Sequence, residues 1–173
     1  MPKPKTTDYP EYFGRYISKV PEDDLMEAFQ NQSKIFPPFL TSITEAQSNH
    51  AYAEGKWTIK ELVQHLIDSE RIFNYRALAI ARKETISLPS FEENEYAANS
   101  GANERSWRSL VNEYLNLRAS THDLYSSFNE QMLTQLGTAN NKTISVLSLG
   151  FITIGHVYHH KNVLEERYLQ LSH

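Results

Sequence analysis

W-T-I-K-E-L-V-Q-H-L-I-D-S-E-R-I-F-N-Y-R fills residues 57–76 and reads as a capped helix start followed by a long amphipathic helix. Thr58 is placed to cap the first turn, and Glu61, three residues on, completes a capping box. Trp57 and Leu62 stand at the positions of a hydrophobic staple. Ile59, Leu62, Val63, Leu66, Phe73 and Ile80 then recur at helical spacing and mark the buried stripe. His65 lies within that stripe, so its ring is expected to face the interior. A neutral histidine there needs a partner for its nitrogens, either a metal ion or a hydrogen bond.

Three further helical segments surround this one. The first is expected to begin near Pro21-Glu22-Asp23-Asp24, where acidic residues suit the positive end of a helix. Leu25, Met26, Phe29, Phe36, Leu40 and Ile43 give it an apolar face, and Pro37-Pro38 must break or bend it. The third repeats at i, i+3, i+4, i+7 from Trp107 through Leu110, Val111, Tyr114, Leu117, Thr121, Leu124 and Tyr125 to Phe128. His122 falls off that stripe and reads as a surface residue. A turn-rich stretch from Gly137 to Lys142 precedes the fourth helix, expected over about Thr143–Leu169. Gly150 and Gly155 cost that helix roughly 1 kcal/mol each relative to alanine, so they point to close packing or close approach.

Between the second and third helices, residues 84–105 form a polar crossover of about 20 residues, far beyond the usual helix–helix connection. It is long enough to run the length of a bundle, so the helices it joins need not be antiparallel. It is also a candidate lid, with Phe91 and Tyr96 best able to cover a site. Residues 1–21 hold prolines at 2, 4, 10 and 21 together with Tyr9, Tyr12, Phe13 and Tyr16. That much aromatic area gains by docking, so this arm is expected to pack along residues 22–173, which form the bundle domain, or against a partner subunit.

The fourth helix carries G-H-V-Y-H-H at residues 155–160. His156 and His160 are four apart, a spacing that puts both rings on one helix face, and His159 is also on a same-face spacing from His156. With His65 from the second helix, two of these complete a three-imidazole set. Spacing alone leaves open which two. Three protein ligands with a fourth position free is how catalytic zinc sites are built, whereas structural sites are closed by four. Asp68, three residues past His65, could orient its ring or assist a bound water.

Residues 57–76 resemble the second helix of DinB/YfiT-like proteins, where a W-S/T-x-x-E start precedes a metal-binding histidine, an acidic residue and a terminal arginine. Residues 88–97, L-P-S-F-E-E-N-E-Y-A, resemble the crossover of that family, and residues 155–160 its fourth helix. The likeness runs from about Leu25 to the C-terminus. It implies an all-α four-helix bundle with a long crossover between helices 2 and 3, and it assigns His65, His156 and His160 as metal ligands. His159 is then an extra histidine, placed with Phe91 and Tyr96 as candidate pocket residues. Glu70 and Arg76 match the family's acidic residue and arginine. Glu70 lies roughly 140° around the helix from His65, and both are assigned to structure or subunit contact.

Composition narrows the function. A net charge of −4 gives no electrostatic case for nucleic acid. There are no cysteines, so thiol chemistry must use a thiol from the substrate. The N-terminus has no apolar core of a signal peptide, and no segment approaches the length of a membrane span; a cytoplasmic protein is expected. The resemblance implies a metal-dependent hydrolase or thiol S-transferase acting on a small molecule. A bundle that holds metal or a small ligand without turnover is the alternative. Three imidazoles suit several late metals, with zinc or nickel expected. A homodimer is expected from the apolar arm.

Overall fold

Thr58 caps the longest helix through both reciprocal bonds of the expected box, its side chain accepting from Glu61 N–H while the Glu61 carboxylate accepts from Thr58 N–H. The computed structural model describes residues 1–169; residues 170–173 of the expected bundle domain lie outside them. The elements are α1 (Gly14–Ile17), α2 (Leu25–Ser33), α3 (Phe36–Ser42), α4 (Glu45–Ser48), α5 (Ile59–Ala81), α6 (Glu93–Ala98), α7 (Trp107–Ser126), α8 (Glu130–Leu133), β1 (Leu136–Ala139), β2 (Lys142–Ser145) and α9 (Val146–Val163), followed by a π-helical turn over Leu164–Tyr168. The bundle consists of α2 with α3, α5, α7 and α9. Among the described residues, no helix is long and apolar enough to cross a membrane.

The first bundle helix is two pieces. Asp24 caps α2 by accepting from the N–H groups of Met26 and Glu27. The chain breaks at Lys34-Ile35, and Pro37 and Pro38 occupy the first turn of α3, where a missing N–H costs nothing. The prolines therefore start the second piece rather than kink a continuous helix.

Side-chain pairs give the direction of each helix. Arg71 meets Glu113, Glu70 meets Arg118, and Asn74 meets Thr121, so α5 and α7 run parallel and the crossover carries the chain back. His65 meets His160 while Phe73 meets His156, so α9 runs antiparallel to α5. Phe29 packs on Tyr125 and Phe36 on Tyr114, setting α2 and α3 antiparallel to α7.

One feature differs from expectation. Residues 143–145 belong to a hairpin and not to the fourth helix: β2 pairs antiparallel with β1 from Leu136↔Ser145 to Ala139↔Lys142. Asn140 and Asn141 turn between them at φ of 50° and 57°, the left-handed pair that a two-residue hairpin turn requires. Leu88 of the crossover bonds to this hairpin through Thr138 and Asn140. Ser145 then caps α9.

The arm takes the first of its two expected placements. It docks on its own chain, with Tyr16, Ile17 and Val20 buried. Gly155 explains the closeness, since a Cβ there would meet the Tyr16 carbonyl oxygen at 2.0 Å. Gly150 similarly admits Leu25 and Tyr125.

On the far face of α5, Glu70 is buried and accepts from Arg118 Nη2 at 2.8 Å and from Thr121 Oγ1 at 2.6 Å. Burial pushes its carboxyl above the usual range, against the pull of Arg118 and Thr121. Arg118→Met should cost about 3–5 kcal/mol by urea unfolding near neutral pH, because an unpaired buried carboxylate remains. A carboxyl held high loses stability as pH rises through its folded value and regains it below. The penalty should therefore shrink markedly at about pH 5.

Candidate metal centre

His65 sits between Leu62 and Leu66 on the buried stripe of α5. Its partners come from α9, whose residues from Val146 to Val157 are all buried. That helix threads the centre of the molecule, which is why its first half shows no polar face. His156 is buried and His160 partly so. The histidines lie where one apolar cluster, around Phe73, Phe151 and Ile154, meets another, around Leu62, Leu66 and Val157.

The Nε2 atoms of His65 and His160 each lie 3.1 Å from His156 Nε2, and one ring nitrogen from each of the three lies within 4.8 Å of the others. Ligands at about 2.0–2.1 Å from a tetrahedral ion stand roughly 3.3 Å apart, so the spacing fits a divalent cation. Proton sharing fits less well. His156 Nε2 lies between two other ring nitrogens, and a neutral nitrogen offers one proton or one lone pair.

Electrostatics point the same way. Burial holds His65 down at about 4, aided by neighbouring His159. Burial, then His160 and His65, push His156 well below the usual histidine value. His160 is depressed by burial and then by His65 and His159. All three rings are therefore neutral near pH 7, the form that ligates metal. Trp57 lies against His65 at 4.9 Å between ring centroids, and Tyr16 meets His156 edge-on at 5.2 Å.

A cavity of about 420 Å³ opens beside His65 and His156. Its walls come from four places: the arm (Pro10, Tyr12, Phe13, Tyr16), α5 (Ser69, Phe73, Arg76), the crossover (Ser90, Phe91) and the hairpin (Asn140, Lys142, Ile144). Of the expected pocket residues, only Phe91 lines it. Tyr96 packs tilted against Phe91 at 5.3 Å between centroids but is 48% exposed and borders a separate hollow. His159 packs edge-on to Tyr16 and His160 and does not reach the cavity wall.

Asp68 is also placed elsewhere. Its carboxylate accepts from Gln64 Nε2 at 2.8 Å and faces Arg71, so it neither orients His65 nor reaches the three nitrogens. Arg76, assigned above to structure, lines the cavity. Ser69 and the arm line the cavity without being among the expected pocket residues. One signal pointed to the arm: a glycine directly before His156, which only a close neighbour explains.

The DinB superfamily model matches residues 28–164. Among solved structures, the chain is similar to YfiT from Bacillus subtilis, described as a probable metal-dependent hydrolase with an unusual four-helix bundle topology. That match has a TM-score of 0.72 at 17% identity, covering 98% of this chain and 93% of that one. A DinB-like protein from Bacillus subtilis, YjoA, matches with a TM-score of 0.60 at 17% identity, over 86% of this chain and 92% of its own. No curated protein matches the sequence.

Depressed histidines carry a signed consequence for the metal-free protein. The unfolded chain takes up protons below about pH 6.5 while the folded one resists, so stability is lost as pH falls. His65 alone, held at about 4, should remove roughly 3 kcal/mol between about pH 7 and pH 4. Urea unfolding across that range checks it, and His65→Gln should flatten the slope.

Proposed function

The chain belongs to the DinB superfamily, and from that premise we propose that it is a metal-dependent enzyme acting on a small organic substrate, with His65, His156 and His160 holding the ion. The observation that carries this is the convergence of three neutral imidazole nitrogens beside an open cavity. Among the described residues no carboxylate joins them, and the chain has no cysteine, so a fourth ligand position is left for a substrate. A divalent ion there, zinc or nickel by its ligand set, would act as a Lewis acid and lower the pKa of a water or thiol at that position.

Hydrolysis is the first reading, and the likeness to YfiT supports it. One observation favours thiol S-transfer as a second. Asp68 faces away, and among the described residues no carboxylate groups with the three histidines to take a proton from an attacking water. A thiol needs less help, since it already ionises near 8.5. In either case the chain's own residues position and exclude. Phe13, Phe73 and Phe91 supply apolar walls, Tyr16 and Trp57 brace two of the imidazoles, and the hairpin adds Asn140, Lys142 and Ile144 to the lining.

Metal analysis after loading with zinc or nickel should show stoichiometric ion in the parent and in His159→Ala, with His65→Ala, His156→Ala and His160→Ala each losing it. Equal losses for His159→Ala and His160→Ala would mean that the wrong pair is assigned. Chelation should leave the circular dichroism of the helices unchanged, because two apolar clusters already supply the core. Turnover of a nitrophenyl ester against conjugation of a thiol to chlorodinitrobenzene separates the two reactions. Metal binding with neither activity would support the binding bundle instead.

A further inference from the structure

Arg76 stands on the same face of α5 as His65. Eleven residues separate them, which is about 20° of rotation and roughly 16 Å along the helix. Its residue is only 7% exposed, and it lines the same cavity as His65 and His156. One N–H, from Nη2, goes to the Pro89 carbonyl oxygen at 2.6 Å. The guanidinium has no ion-pair partner among the described residues, in contrast to Arg71, Arg105 and Arg118, each of which meets a glutamate. Burial alone perturbs it, lowering its pKa from the usual value. An arginine stays charged even so, and a buried cation without a counter-ion is costly.

Between Arg76 and His65, Ser69 lines the cavity with its Oγ buried and unpartnered. The rest of that stretch is apolar, chiefly Phe73 with Phe13 and Phe91. The other charged groups of the wall, Glu92, Glu93 and Lys142, are all exposed, so Arg76 is the one buried cation among the lining residues.

We propose that this cavity takes an elongated substrate bearing a carboxylate, with the carboxylate held by Arg76, an apolar middle lying past Ser69 and Phe73, and the reactive end at the three histidines. Both side chains lean toward the N-terminus of α5, and the longer arginine reaches farther along it than His65 does, so the roughly 16 Å between the two positions shortens to a gap on the order of 10 Å. That span matches a chain of about eight carbons. A carboxylate is favoured over a phosphate because a single buried positive charge balances a single negative one, and the guanidinium fork suits its two oxygens. The carboxylate is bound and not changed. For the identity of the reactive end, this inference rests on the functional reading above.

Two arms test it and keep the two readings apart. In the first, cobalt-loaded protein is titrated with mercaptooctanoate and with mercaptooctanol, reading the thiolate-to-cobalt absorption band. The carboxylate should bind about tenfold more tightly, the strength of one charge-assisted contact. Arg76→Gln should reduce that preference to near unity while leaving mercaptooctanol affinity unchanged. Arg71→Gln, on the outer face of the same helix, should keep the preference. In the second arm, calorimetry on metal-free protein compares octanoate with octanol, and the same tenfold preference and the same loss are expected. If the cobalt band never forms, the metal reading fails and the calorimetric arm still decides this one. Equal affinities for acid and alcohol in the parent protein, which needs no variant, would overturn the proposal. So would an equal loss in Arg71→Gln, or tighter binding of octyl phosphate than of octanoate.

Discussion

Three imidazoles converge in one small volume between α5 and α9, two of them buried and the third partly so, and burial holds all three neutral near pH 7. They cannot all be charged, since burial depresses all three and His65 further pushes down His156 and His160. They also cannot all be satisfied by one another. The antiparallel crossing of α5 and α9 must therefore be held closely enough to keep His65 and His160 each 3.1 Å from His156, which is a packing requirement more than a bonding one. Gly155 meets part of it by letting the Tyr16 backbone lie directly on α9. The arm thus braces the histidines from one side while α5 supports them from the other.

The second long interface obeys a different rule. Along α5 and α7, which run parallel, a shared apolar cluster is joined by ion pairs and hydrogen bonds: Glu70 with Arg118 and Thr121, Asn74 with Thr121, and Arg71 with Glu113. A parallel pair needs a connection as long as the helices, and the residues between α5 and α7 supply it. In passing, that connection sets Pro89 against Arg76, Leu88 against the hairpin and Phe91 into the cavity wall. The topology and the pocket are therefore one arrangement, since an antiparallel α5–α7 pair would leave no crossover to close that side.

How much of this the sequence disclosed follows from which residues were periodic. Helix α5 was legible to within a residue at its start, because a capping box and a stripe agree there. Helix α9 was harder. Buried on every side, it shows no amphipathic period, so its start was set three residues early and the hairpin before it read only as turns. The hairpin's strands are four residues each, too short to alternate visibly, and Asn140-Asn141 was its one local mark. Helical arithmetic placed Glu70 correctly away from His65 but did not choose between Asp68 and Ser69. They lie about 60° to one side of His65 and 40° to the other, and only tertiary packing decides which side holds the cavity. Asp68 falls toward Arg71 and Gln64, Ser69 toward the arm. The same arithmetic puts Arg76 almost in line with His65, a signal that was present and assigned to structure instead.

Unpaired buried polar groups occur on both faces of α5, so their mere presence does not identify a site. Around Glu70 they include Nε and Nη1 of Arg118, the Tyr125 hydroxyl and Asn74 Oδ1. That cluster nevertheless contains a carboxylate and a guanidinium in contact, so its net charge is balanced within the fold. On the cavity face the imbalance is electrical as well as geometric: a guanidinium bonded only to a carbonyl, a lone hydroxyl and converging imidazole lone pairs. Each is a group that a fold optimised for stability alone would pair or replace. What completes such a face is charge, positive at the histidines and negative at Arg76. The spacing of the two along one helix turns a list of deficits into the outline of a ligand.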